Sequence, residues 1–362
     1  LLGLSGNLYG VASDPVVGKL NGSFSVEGDG SASYSIPVSV PPGVNSMQPG
    51  VGLSYNSGSG DGYLGIGWSL SGQSSISRCP QTEEDGLMID GVNYDDNDQF
   101  CLDGERLILI TDIETHGKVG AEYHTSSSLT SVISIEAVAG NGPAYFKVKS
   151  ASGRTLMYGN SDDSHLQRAG GSEYFVWHLK TVTDIYGNAI NYVYNSDKSA
   201  GEDYLDSINY GLNTQYEVKF EYEDRIGSLS GYSAETAYRV SKRLKGVAIY
   251  VNGPEISRMN IAYDENANIN KVFSIEKCAE NTCLPAMEFG TQDNEDWMDV
   301  DISTWDSSMH LHSNGGKYQA NLDMNLDGLS DFVWRDLRDG NVYVAFSTGS
   351  GFDAPEPWLS DR

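Results

Sequence analysis

The chain has 362 residues and a formal net charge of −27, from 23 basic and 50 acidic side chains. That length admits about two domains, and the charge excludes a nucleic-acid backbone or an anionic lipid surface as natural partner, because both would be repelled. No apolar run approaches the roughly 20 residues of a membrane-spanning helix; 41 glycines and 22 tyrosines among many Ser and Thr point to short strands and tight turns, an all-β fold.

Residues 1–20 read as an extension ahead of the first patterned segment. From Ser23, apolar residues alternate with serine on both sides of Gly28-Asp29-Gly30, as a hairpin with one buried face requires, and Pro41-Pro42-Gly43 ends it. Val51 to Tyr55 reads as a strand, residues 56–62 as a loop, and Leu64 to Leu70 as a period-two strand whose glycines predict another backbone packed closely above. Leu107 to Ile110 reads as a buried strand. Further strands are expected at 145–148, 155–158, 175–179, 189–194, 216–220 and 259–263, with turns at Tyr186-Gly187-Asn188 and Asn252-Gly253-Pro254. The densest basic stretch, Arg239 to Lys245, precedes an apolar run and reads as a solvated strand edge. No amphipathic helix is expected.

Composition shifts between Gly290 and Asp306, where we place a domain boundary: a β domain over 21–290, a linker or first strand over 291–313 and a second unit over 314–362. Four cysteines allow three pairings. Local pairing, Cys79 with Cys101 and Cys278 with Cys283, closes the smallest loops; the competing zinc site built from all four thiolates lacks the close paired spacing such sites use. Stable disulfides would place the protein in the periplasm or outside the cell. The chain opens at Leu1 with no charged segment leading into an apolar one, so we expect a piece of a longer secreted or cell-surface protein.

Near the end, Asp323, Asn325, Asp327 and Asp331 set oxygen donors at alternate positions around Gly328, with the Leu329 carbonyl between them. Ca²⁺ takes six to eight oxygens, and this spacing can wrap it. No Glu follows at the position an EF-hand needs, and Phe332 to Trp334 reads as strand, so the expected site is a calcium loop flanked by β-strands. The plainer alternative is an acidic turn that holds no metal.

Many short motifs then fall in a collinear order. They run from Ser23-Phe24-Ser25-Val26 through Tyr34 to Val38, Pro41-Pro42-Gly43, Leu53 to Ser57, Leu64 to Gly72, Ile76 to Cys79, Phe100 to Gly104, Tyr158-Gly159-Asn160, Trp177 to Asn188 and Phe220 to Glu223, ending near Cys283-Leu284-Pro285. This order resembles the N-terminal domain of the SpvB family, found in virulence proteins of that type, in the B component of insecticidal Tc toxins and in large bacterial proteins with Rhs/YD repeats. The Asp323 loop, with Val342 to Val344 and Phe346 to Phe352, is similar to one FG-GAP/VCBS repeat, a calcium-bearing propeller blade that follows this domain in the family. The resemblance implies a non-catalytic β scaffold or shell, a bound Ca²⁺, and partners among the domains and components of a toxin complex: an Rhs/YD-repeat shell and an A-type translocation component.

Two further functions compete with that reading. Glu221 and Glu223, two apart on a strand, would share one face as an E-x-E pair of an ADP-ribosyltransferase, with Ser126 to Ser128 as a loose serine partner; the surrounding pattern is that of a plain amphipathic strand. Exposed tyrosines could stack on sugars in an adhesion or carbohydrate-binding module, although tyrosine is also the ordinary edge residue of a half-buried sheet. His310 and His312 lack further ligands at metal spacing, and His178 reads as filling the core edge beside Trp177. No nucleophile elbow, H-E-x-x-H pair or phosphate-cradling glycine loop is present.

Overall fold

A computed structural model describes residues 18–290, apart from 29, 83–89, 169–170, 199, 234–235, 266–268 and 281. It also describes 319–322, 331–335, 341–346, 348, 353–354 and 356–359. Contacts divide the chain into two compact units, 1–290 and 291–362. Strands make up 55% of the chain, and the described residues contain no α-helix.

The first unit opens with β1 (Ser23–Val26), β2 (Ala32–Pro37), β3 (Gly52–Asn56) and β4 (Trp68–Ser71), an antiparallel four-stranded sheet. Alternation sorts its two faces. Ser23, Ser35, Ser54 and Ser69 are register neighbours across all four strands, and so are Phe24, Tyr34, Tyr55 and Trp68 one position along. Successive residues point to opposite faces, so the serines line one side and the aromatics the other. Trp68 and Tyr34 meet Phe289 at 4.8 and 6.2 Å between ring centroids.

Next come β5 (Ser75–Cys79), β6 (Gln99–Leu102), β7 (Glu105–Leu109), β8 (Glu122–Thr125), β9 (Val132–Val138), β10 (Pro143–Lys149), β11 (Thr155–Tyr158), β12 (His165–Gln167) and β13 (Tyr174–Thr183). From β5 to β11 each strand pairs with the next; β11 pairs with β13, and β13 with β5, which closes an eight-stranded barrel. The β6–β7 link is a two-residue hairpin: Asp103 and Gly104 have φ of 50° and 86°, the left-handed pair that matches strand twist.

β13 also begins an open wall: β14 (Ala189–Asp197), β15 (Glu202–Tyr210), β16 (Tyr216–Ser233), β17 (Thr236–Val251), β18 (Glu255–Tyr263), β19 (Val272–Ala279), β20 (Thr282–Cys283) and β21 (Met287–Glu288). Val176–His178 pair with β5, and Thr181–Thr183 pair with β11 on one side and β14 on the other, so one strand belongs to both barrel and wall. Barrel and wall share one apolar core, from Phe100, Phe146 and Trp177 to Tyr210, Phe220 and Ile275.

Two expectations need correction. Only Trp68–Ser71 of the 64–70 segment is strand, because Gly65 and Gly67 take φ of 79° and 77° and break the extended path. The close approach foreseen there is present: a Cβ on Gly65 would lie 2.0 Å from the Asn270 carbonyl oxygen, which accepts the Ile66 amide at 2.9 Å. Leu107 is buried, but Ile108 and Ile110 are exposed, so β7 has one wet face. The basic stretch has a strand partner on one side only: Arg239–Leu244 run along β16, the ladder to β18 begins at Gly246, and Lys242 and Arg243 are paired with Asp224 and Glu223.

The second unit holds β22 (Gln319–Leu322), β23 (Asp331–Arg335), β24 (Val342–Ala345) and β25 (Glu356–Leu359), an antiparallel four-stranded meander. Leu322 pairs with Asp331, so residues 323–330 are the connection of a hairpin.

Candidate functional site

Of the metal ligands expected from the sequence, Asp323, Asn325, Asp327 and Leu329 lie outside the described residues, and Asp331 is placed as the first residue of β23. His310 and His312 also lie outside them. The cysteines form two disulfides, Cys79–Cys101 across β5 and β6 and Cys278–Cys283 across β19 and β20. Glu276 stands close to the second bridge, but no thiolate is left in either pair to hold zinc.

The E-x-E carboxylates are engaged elsewhere. Glu221 receives both terminal nitrogens of Arg258 at 3.2 and 3.3 Å, and Glu223 receives Arg243 Nε at 2.8 Å. Arg243 is itself buried, with its guanidinium 4.1 Å from the Tyr263 ring centroid. Ser126 and Ser127 bind the Glu105 carboxylate, which holds that acid down at about 2. These carboxylates serve as cross-strand ties.

Among the described residues, a buried ion pair lies inside the barrel. Arg78 Nη1 meets Asp98 Oδ2 at 2.6 Å, both side chains 1% exposed. Arg78 also donates to the carbonyls of Tyr174 and Asn141 and lies over the rings of Tyr94, Phe100 and Trp177. Asp98 accepts the amides of Asn93 and Tyr94 at 2.8 Å. A buried charge pair persists only when its remaining donors and acceptors are filled, and here they are.

Where β5 and β14 part company along β13, a cleft of about 330 Å³ opens. His178 sits in it on β13, half-buried rather than in the core, stacked on Tyr194 with ring centroids 4.9 Å apart and with Nε2 against the Asp203 carboxylate on β15. Asp103, from the β6–β7 turn, accepts the Ser74 hydroxyl at 2.7 Å and the Ser75 amide at 2.8 Å. Tyr63 closes another side, edge-on to Tyr204 at 5.3 Å; burial first, then the nearby Asp203, raises its pKa and keeps the phenol protonated.

The outer half of the β16–β17 hairpin supplies the last wall, with Tyr238, Arg239 and Val240. That hairpin is interrupted: pairing lapses between Asp224 and Leu229, Gly227 takes φ of 64°, and the Asn270 side chain bonds both the amide and the carbonyl of Ile226 at 2.9 Å. Beyond the break, Arg239 donates its amide to the Gly201 carbonyl at 3.1 Å. Of this cleft the sequence singles out His178 and, within the basic stretch, Arg239, because its walls come from eight separate strands or turns and no local spacing reports their meeting.

The first unit is thus a closed eight-stranded barrel fused through one strand to a long antiparallel wall. Residues 26–227, more than half of the chain, match the family model described as SpvB: Salmonella virulence plasmid 65kDa B protein, and the chain belongs to that family. No curated protein matches it. Among solved structures, it is similar to one described as the crystal structure of TcdB2-TccC3, with TM-score 0.67 and 18% identity over 95% of this chain and 20% of that one. The Photorhabdus luminescens Tc holotoxin pore matches with TM-score 0.66 and 17% identity over 96% and 20%. The N-terminal domain of the effector SpvB from Salmonella typhimurium strain LT2 matches with TM-score 0.54 and 18% identity over 68% of this chain and 98% of that one. At such identities the likeness concerns the fold, and the chain spans about a fifth of the length of the toxin chains.

Proposed function

We propose that this chain is a non-catalytic scaffold or shell segment of a large secreted bacterial protein of the Tc, Rhs or SpvB type, and that it works by shape alongside the other domains or components of a toxin complex. The observation that carries this reading is the extent of the fold match: 95% of the chain, across both compact units, follows a stretch of the TcdB2-TccC3 chain. The ties of Glu221, Glu223 and Asp98 to arginines support it, since groups committed to holding strands together are poor candidates for chemistry.

The second unit is read as one FG-GAP/VCBS-type blade with Ca²⁺ held by Asp323, Asn325, Asp327, the Leu329 carbonyl and Asp331. The four-stranded meander supports this, as does the place of residues 323–330 between two paired strands. Bound there, the cation would relieve the repulsion among carboxylates crowded into one short connection.

The test is deletion of residues 21–290 from the full-length parent protein. The expected result is loss of co-assembly with its toxin components in size-exclusion chromatography and electron microscopy. Unimpaired assembly refutes the scaffold role.

A further inference from the structure

The cleft at the parting of barrel and wall has a distinctive division of chemistry. Its charged groups face one another: Asp203 meets His178, Asp103 is filled by Ser74 and Ser75, and Arg239 stands 3.6 Å from Glu202. A cationic ligand would have to compete with His178 for its carboxylate, and an anionic one would have to draw Arg239 away from Glu202. Each exchange gives up an existing contact to make another, with desolvation added.

Uncharged capacity is what remains. Tyr63, Gln73 and Tyr238 line the cleft, and their side chains make no hydrogen bond among the described residues. A phenol and a carboxamide each donate and accept, which is the complement of a hydroxyl group. Beside them stand Leu166, Val176 and the Tyr194 ring, apolar surface of the kind that packs on C–H faces. A cleft of about 330 Å³ lies at the small end of ligand sites.

We propose that this cleft binds an uncharged, polyhydroxylated ligand of one or two sugar rings, with Tyr63, Gln73 and Tyr238 as its hydrogen-bonding residues. The site stands apart from the scaffold reading, because its walls belong to the first unit whatever that unit assembles with. The outer arm of the β16–β17 hairpin carries Tyr238 and Arg239 beyond the break at Asp224–Leu229, so the wall that would close over a ligand is the one hung on an interrupted ladder.

The experiment is saturation-transfer NMR and calorimetry on the intact chain with methyl β-galactopyranoside, methyl α-glucopyranoside, N-acetylglucosamine and lactose. Choline and N-acetylneuraminic acid serve as the cationic and anionic arms. At least one neutral sugar is expected to bind and to lose about five- to tenfold in affinity in Gln73→Ala and in Tyr63→Phe, the effect of one removed hydrogen bond. Tyr238→Ala, at a partly exposed position that does not threaten the fold, should weaken it likewise. Binding by none of the four sugars, equal binding by the wild type and all three variants, or tighter binding of choline or N-acetylneuraminic acid overturns the proposal. Its failure would leave co-assembly untouched, so the two readings are separable.

Discussion

Replacing Asp98 by alanine would leave the Arg78 guanidinium charged inside the barrel, 1% exposed and without its counter-ion, and would strip the Asn93 and Tyr94 amides of their acceptor. Breaking a buried pair from one side costs about 3–5 kcal/mol, because the surviving charge stays desolvated. The carbonyls of Tyr174 and Asn141 and three aromatic faces still hold Arg78, which argues for the lower half of that range. For a domain of this size the loss corresponds to a Tm drop of roughly 6–16 °C. The assay is guanidinium unfolding followed by near-UV circular dichroism, which reports Trp177 and its aromatic neighbours. Asp98→Asn should recover part of the loss, since an amide oxygen still accepts. Asp162→Ala is the control: that carboxylate also pairs with a lysine at 2.6 Å but is 95% exposed, and its removal should not move the midpoint. An Asp98→Ala midpoint within about 1 kcal/mol of wild type would refute the claim that desolvation makes this pair indispensable.

Gly65→Ala combines a left-handed backbone with a Cβ 2.0 Å from the Asn270 carbonyl, and a loss of at least about 1–3 kcal/mol is expected by chemical denaturation; a neutral result would contradict the close approach. Asp184 accepts from Tyr186, Asn188 and Asn45, and the Asn188 side chain foremost lowers its pKa from 3.8 to about 2. A depressed carboxylate contributes stability that is whole above its unfolded pKa and lost as pH falls through its folded one, so the stability gap between wild type and Asp184→Ala should be constant above about pH 4 and shrink toward pH 2; a gap independent of pH would remove the charge from the account. Calorimetric titration should show Ca²⁺ uptake that Asp327→Ala abolishes, with chelator loosening the second unit first; heat-silent titration and an unchanged melt would overturn the calcium loop.

Much of the strand content is written in local pattern. Ala189 to Tyr194 alternate cleanly, and the Asp103-Gly104 and Tyr186-Gly187-Asn188 turns carry the residues their backbone angles demand. Leu64 to Leu70 misleads because apolar residues at every second position look the same whether the glycines between them extend or curl. The barrel has no such signature. It closes through the pairing of Ile76 with Trp177 and of Tyr158 with Leu179, contacts whose partners lie far apart in the chain. Arg78 gave no sign of burial, since its environment comes from Asp98, Asn141 and Tyr174, and the cleft is hidden for the same reason: Tyr63 and Tyr238 meet only in three dimensions.

β13 carries load for two frameworks at once. A strand bonded to β5 over Val176–His178 and to both β11 and β14 over Thr181–Thr183 cannot rotate about its own axis in the first framework without turning the second. Torque applied at the exposed tip formed by Ile185 and Tyr186 therefore reaches the ring through a few backbone bonds, which makes this hairpin a crank.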